Sequence, residues 1–182
     1  MISLQSSITQ KVLNYFYLNP QDQLYINELG RKLQLDKRNL VKKIRELERE
    51  GILQSQSQGN MKLYRINPQY PLYQEYRNII LKTVGLEKKL IELLRAIPGI
   101  KSAYLYGSYA QNTLDIHSDI DLLVVGNHNI LSLQKKLNQV QKEIDREIRP
   151  VNMDEPEFEK RKQLHDPFLH EVLKKKHIQL IS

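Results

Sequence analysis

Apolar residues in the first third of the chain recur three and four positions apart, the spacing of helices buried on one side. Residues 8–18 put Val12, Leu13, Phe16 and Tyr17 on a broad apolar side. Asn19-Pro20 ends that run, since the residue before a proline is pushed out of the helical region. A shorter helix is expected over 27–33, with Leu29 and Leu33 one turn apart. Gln34-Leu35-Asp36 breaks the pattern, and Asp36 is placed to cap a third helix over 37–50, whose inward positions are Leu40, Ile44 and Leu47. Gly51 follows as its C-terminal stop. Two short strands, 52–53 and 62–66, then flank a polar turn, Q-S-Q-S-Q-G-N. Residues 1–68 thus read as three helices and a hairpin.

Asn67-Pro68 and Tyr70-Pro71 mark a boundary, and residues 72–97 are helical again. Leu72, Tyr76, Ile79, Thr83, Leu86, Leu90, Leu93 and Ile97 form a stripe, widened by Ile80, Ile91 and Leu94. Such a stripe needs cover, either from the chain's own domains or from a second copy in a homodimer. Gly85 either divides this connector, residues 69–98, or kinks it. Past Pro98-Gly99 the pattern changes to strand-like apolar runs at 100–106 and 120–125. A helix over 131–145, a strand in R-E-I-R-P-V-N-M, and helices opened by Asp154-Glu155-Pro156 and Asp166-Pro167 complete the chain. Phe168, Leu169, Val172 and Leu173 are expected inward on the last helix. Lys174-Lys175-Lys176 reads as positive charge at that helix's C-terminus, where the dipole favours it. Pro150 lacks a ladder N–H, which points to an edge strand. The class is α+β, with a small mixed sheet in residues 99–182.

The chemistry concentrates in Y-L-Y-G-S-Y-A-Q-N-T-L-D-I-H-S-D-I-D-L-L-V-V-G, residues 104–126. Side chains alternate along a strand, so Asp119 and Asp121 project side by side while Ile120 points away. Paired carboxylates of that kind suit a hard divalent cation shared with a substrate's phosphates. The Gly107-Ser108 turn can present backbone N–H groups to an anion if a helix begins there. His117 is expected to be an exposed loop residue, and the other histidines lack metal-ligand spacing. The net charge of +7 adds a second theme, because residues 1–68 carry 11 Lys and Arg against 6 Asp and Glu. That excess suits a nucleic-acid-binding module joined to a near-neutral partner. Cysteine is absent, which excludes disulfides and thiolate metal sites and fits a cytoplasmic protein. No apolar run approaches the roughly 18–20 residues of a membrane span, and the N-terminus has no signal-peptide pattern.

The run I-N-E-L-G-R-K-L-Q-L-D-K-R-N-L-V-K-K-I-R-E-L-E-R-E-G-I-L resembles the winged helix-turn-helix regulators of the ArsR and MarR kind. In that family the third helix enters the major groove, and double-stranded DNA is the implied partner. The outward positions here are Lys37, Arg38, Asn39, Val41, Lys42 and Arg45. Arg38 and Asn39 are expected on base edges and Val41 on a thymine methyl. Lys37, Lys42 and Lys43 are expected on phosphates, as are Lys62 and Arg65 of the wing.

Gly107-Ser108 followed by Ser118-Asp119-x-Asp121-Leu122 resembles the polymerase-β-like nucleotidyltransferases, in particular the small minimal ones. The resemblance implies that Gly107 and Ser108 hold the β- and γ-phosphates of a nucleoside triphosphate, with ATP the expected nucleotide. It implies Mg²⁺ on Asp119 and Asp121, and transfer of a nucleoside monophosphate to an acceptor hydroxyl with release of pyrophosphate. Asn112 stands where many members have glycine, and Asn tolerates left-handed backbone angles. Active members supply a third carboxylate from a neighbouring strand. Arg149 occupies the matching position here, Glu147 on the same face is the acid available to substitute, and Asn152 lies on the other face. Over nearly its whole length the chain is similar to prokaryotic two-domain regulators joining these two modules. Two functions follow. One is a DNA-binding regulator that senses a nucleoside triphosphate and Mg²⁺. The other is an active transferase that modifies a protein partner, an RNA end or a small molecule, with the winged helix serving autoregulation as in toxin–antitoxin pairs.

Overall fold

In a computed structural model, which describes residues 5–115 and 117–182, the chain divides into two units, Met1–Lys88 and Lys89–Ser182. Residues 1–4, where the expected first domain begins, and residue 116 lie outside the described residues. The first unit contains α1 (Ser7–Leu18), β1 (Leu24–Tyr25), α2 (Ile26–Leu33), α3 (Lys37–Arg49), β2 (Leu53–Gln58), β3 (Met61–Ile66) and α4 (Tyr73–Thr83). The helix α5 (Leu86–Arg95) runs across the division. The second unit continues with β4 (Ile100–Tyr106), α6 (Gly107–Gln111), β5 (Ile120–Gly126), α7 (Ile130–Ile144), β6 (Ile148–Met153), α8 (Glu155–Gln163), α9 (Pro167–Lys174) and β7 (Ile178–Ile181).

The first unit is a winged helix built around α1. Every residue from Val12 to Leu18 is buried, more than a one-sided stripe predicts, because α2, α3, β3 and α4 all pack on this helix. The Asp36 carboxylate accepts from Asn39 N at 3.0 Å and so caps α3, which buries Leu40, Ile44 and Leu47. Gly51, at φ +78°, takes the chain out of α3 in a left-handed conformation. The hairpin corrects one expectation. β2 and β3 pair from Leu53↔Ile66 to Gln58↔Met61, so only Gly59-Asn60 forms the turn. The run Q-S-Q-S-Q is strand, held by its backbone ladder and lacking the apolar alternation that would betray it. Gly59, at φ +59°, supplies the positive backbone angle that a two-residue hairpin needs. β1 adds a third strand by pairing Leu24 with Tyr64.

The connector is divided rather than kinked. Gly85 N donates to Ile80 O at 2.7 Å, and a Cβ at Gly85 would meet Ile80 O at 2.8 Å and Leu81 Cα at 2.9 Å. This break resets the helical phase, so a stripe counted straight through 72–97 fails on α4. That helix buries Arg77, Ile80 and Leu81, while Leu72 (47% exposed) and Ile79 (44%) face outward. Leu86, Leu90, Leu94 and Ile97 are buried.

The second unit holds a mixed sheet of order β6-β5-β4-β7. β5 and β6 are parallel and joined through α7; the other pairs are antiparallel. β6 lies at an edge, where Pro150 is tolerated. On one face Leu123, Val125 and Met153 pack with Phe158 of α8 and with Leu169 and Val172 of α9. Burying each such side chain contributes about 1.5–3 kcal/mol. Asp121 and Asp119 continue the row of Leu123 and Val125 beyond its apolar end. Among the described residues no helix is long and apolar enough to cross a membrane.

Candidate functional site

The turn from β4 into α6 meets β5 at Asp121. Tyr106 pairs with Asp121 across the antiparallel ladder, and Gly107 follows at φ +66°. A Cβ on Gly107 would fall on the Asp121 carboxylate, so backbone angle and clearance both call for glycine. α6 starts at this residue, and the first-turn N–H groups of a helix have no intrahelical acceptor. Asn112 closes α6 in the left-handed region at φ 61°, as expected of an Asn at that place, and Thr113 N donates to Ser108 O at 2.9 Å.

Asp119 arrives at the start of β5 from a braced loop. The Asp115 carboxylate accepts from the Ser118 hydroxyl at 3.0 Å and from His117 N at 2.8 Å, which holds its pKa below the usual range. Arg146 donates to Asp115 O at 2.8 Å and also to Ser118 O. His117 itself is exposed. Burial, and next the charge of Asp119, hold the Asp121 carboxyl above the ordinary carboxylate range, with Arg149 pulling the other way. Burial and the Asp121 charge push the Tyr106 phenol up to about 12. Arg149 is in register with Asp121 across β5 and β6, and its guanidinium lies 2.7 Å from Asp119 Oδ2. The Glu147 carboxylate lies 3.7 Å from Arg149 Nε. Among the described residues no set of three or more His, Asp and Glu side chains is gathered to hold a metal ion. Asn152 accepts at 2.8 Å from His128 Nε2.

Beside Gly107 and Asp121 opens a cavity of about 200 Å³, lined in part by Tyr106, Gln111, Phe168, Glu171, Lys175 and Lys176. Sequence reasoning missed these residues as a group, because α9 lies some fifty residues beyond Asp121. The three lysines sit at the C-terminus of the last helix, as expected, and two of them also reach the cavity. α9 ends at Lys174, Lys175 pairs with Glu171 at 2.6 Å, and Lys175 and Lys176 line the cavity. The apolar spacing of D-P-F-L-H-E-V-L was the one available signal that this helix faces the sheet.

In the first unit, Lys37, Arg38, Asn39, Lys42 and Arg45 are exposed along α3, and Val41 and Lys43 are half-buried. Lys43 is held by Glu46 at 2.7 Å. On the wing Lys62 lies 3.3 Å from Glu48, and Arg65 Nε lies 2.9 Å from the Gln54 side-chain amide. The exposed cations of α3 form one face that can meet an anionic polymer.

The family model described as "Polymerase beta, Nucleotidyltransferase" matches residues 88–180. No curated protein matches the chain. Among solved structures, the chain is similar to one described as a toxin–antitoxin with AMP-PNP, at 26% identity and a TM-score of 0.38, over 52% of this chain and 71% of that one. It is similar to another described as a tri-AMPylated Shewanella oneidensis HEPN toxin in complex with MNT antitoxin, at 23% identity and a TM-score of 0.34, over 52% and 67%. A third similarity is to Lactococcus lactis ZitR, at 16% identity and a TM-score of 0.37, over 50% and 62%.

Proposed function

The chain belongs to the polymerase beta nucleotidyltransferase family, and from that premise we propose that it is a DNA-binding regulator whose second unit binds a nucleoside triphosphate with Mg²⁺. The observation that carries this reading is the placement of Gly107 against Asp121, with Asp119 on the same face and the cavity alongside. Gly107 and Ser108 open a helix whose first-turn N–H groups suit phosphate oxygens. Asp119 and Asp121 would hold the metal. They fit it in donor type, since Mg²⁺ binds through one or two carboxylates together with substrate phosphates. Burial, and next the charge of Asp119, raise the Asp121 pKa, and a cation bound to the pair would oppose both. The metal, when bound, neutralises charge on the phosphate oxygens. Tyr106 and Phe168 give the cavity an aromatic wall, and their rings meet edge to face at 5.6 Å.

The winged helix supports the regulatory half of the reading through the exposed Lys37, Arg38, Asn39, Lys42 and Arg45. ATP is the nucleotide to try first, and a duplex from upstream of the gene is the DNA to try first.

The test is direct. Wild type is heated with each nucleoside triphosphate, with and without Mg²⁺, beside Gly107→Ala and the double variant Asp119→Ala/Asp121→Ala. Stabilisation by a nucleotide and Mg²⁺ is expected in wild type alone, about 2.7 kcal/mol when the ligand is at 100 times its Kd. Gly107→Ala should lose it because its Cβ collides with the Asp121 carboxylate. No stabilisation of wild type by any nucleotide sinks the reading. Label passing from α-labelled ATP onto a lysate component, with wild type only, would move the protein to the active transferase.

A further inference from the structure

Arg149 points its guanidinium at the carboxylate that a divalent cation would need. It lies opposite Asp121 in the parallel pair of β5 and β6 and reaches Asp119 Oδ2 at 2.7 Å. Glu147, just before β6, lies 3.7 Å from Arg149 Nε. The side chain is 61% exposed against 21% for Asp119, so the cation is the more open member of the pair.

Two physical facts bear on this pair. A guanidinium and a divalent cation cannot both sit on one carboxylate oxygen, because like charges repel strongly at contact distance. Yet an ion pair whose cation lies mostly in solvent contributes little, so it opens when a better anion arrives. A triphosphate is such an anion, and its oxygens match the two-pronged donor geometry of arginine.

We propose that Arg149 is a resident counter-ion that makes metal binding conditional on nucleotide. Without nucleotide it occupies Asp119 and keeps a bare divalent cation off the Asp119–Asp121 pair. An incoming triphosphate draws the guanidinium onto a phosphate, and Asp119 is freed for the metal that accompanies it. The site therefore responds to metal-bound nucleotide and not to free Mg²⁺. The proposal rests on the nucleotide-binding reading above.

The test uses full-length wild type and Arg149→Gln, titrated with Mn²⁺ and followed by electron paramagnetic resonance of the free ion. Each titration is run with and without a non-hydrolysable ATP analogue and is read against a protein-free blank holding the same analogue, which itself chelates Mn²⁺; analogue binding is measured separately by calorimetry. Without the analogue, Arg149→Gln is expected to bind Mn²⁺ up to about fivefold more tightly than wild type, the scale of an exposed ion pair that no longer has to be displaced. With the analogue, wild type is expected to gain Mn²⁺ affinity and to close most of that gap. Equal Mn²⁺ affinity of the two proteins without the analogue overturns the counter-ion role. So does wild-type Mn²⁺ affinity that ignores the analogue, a result that needs no variant. If calorimetry shows no analogue binding to either protein, the nucleotide reading fails and takes this inference with it. Analogue binding to both, with Mn²⁺ affinities that already coincide in its absence, overturns the counter-ion role alone.

Discussion

Asp121→Asn is expected to raise the melting temperature at pH 7 while abolishing the stabilisation that a nucleoside triphosphate and Mg²⁺ give the wild type. The two effects share one cause. Asp121 is packed under Gly107 and beside Asp119, and burial followed by the Asp119 charge raises its pKa. A pKa raised in the folded state means that folding favours the protonated form. The associated stability is fully present below the ordinary carboxylate value and is lost as pH rises through the raised value. At pH 7 the wild type carries that penalty in full, and Asn, with nearly the same shape and no charge, does not. Asp121 keeps substantial contact with solvent, which screens the penalty, so the rise is modest. The gap between the two proteins should shrink as pH falls through the carboxylate range and close once Asp121 is protonated. Ligand stabilisation is the larger quantity. At 100 times Kd it is about 2.7 kcal/mol, or roughly 5–10 °C for a chain of this size, and Asp121→Asn should show none of it. A variant that simply misfolded would lose both melting temperature and ligand response. A variant that melts lower and still responds to nucleotide would refute the assignment of Asp121.

Local chemistry made much of this legible in the sequence. The cap at Asp36, the inward triad Leu40, Ile44 and Leu47, and the left-handed Asn112 all follow from rules that act within a few residues, and the structure shows each of them. The shared face of Asp119 and Asp121 follows from strand alternation, and the edge position of β6 from Pro150. What escaped depended on distant parts of the chain. The strand 54–58 is polar on both sides, and only its pairing with β3 defines it. β7 is short and exists through its partner β4. The face of α4 could not be read while the phase was counted through Gly85, since the break there, with Gly85 N turned back onto Ile80 O, brings the chain so close to Ile80 and Leu81 that only a residue without a Cβ fits. The site divides in the same way. Gly107, Ser108, Asp119 and Asp121 lie within fifteen residues of one another, whereas Phe168, Lys175 and Lys176 reach the cavity only because α8 and α9 fold over the sheet.

Arg38→Ala/Lys42→Ala is expected to weaken binding to a duplex from upstream of the gene by about 100-fold, by loss of one base-edge contact and one phosphate contact. The charge pattern of α3 supports this choice. Lys37 and Arg38 fill the first helical turn, which holds no acidic residue, although a helix N-terminus disfavours positive charge. Cations kept against that preference serve something other than the helix. The C-terminal half of α3 mixes Glu46 and Glu48 with Lys43, Arg45 and Arg49, whereas Lys37, Arg38 and Lys42 have no acidic residue among them, so the uncompensated positive charge lies in the N-terminal half, the part that a recognition helix inserts into the groove. Neither Arg38 nor Lys42 is buried, so the double variant should melt at or slightly above the wild-type temperature. Lys43→Ala is the internal control. Its ammonium is already held by Glu46 at 2.7 Å, so its removal should cost much less DNA affinity. The dependence of binding on salt sharpens the assignment. Loss of the Lys42 phosphate contact should lower the slope of log affinity against log salt by about one, and the Arg38 change alone should instead relax the preference for the native sequence over scrambled duplex. Unchanged binding by the double variant in a gel-shift assay would remove α3 as the reading helix, and equal loss for Lys43→Ala would show that general positive charge, not this face, governs the contact.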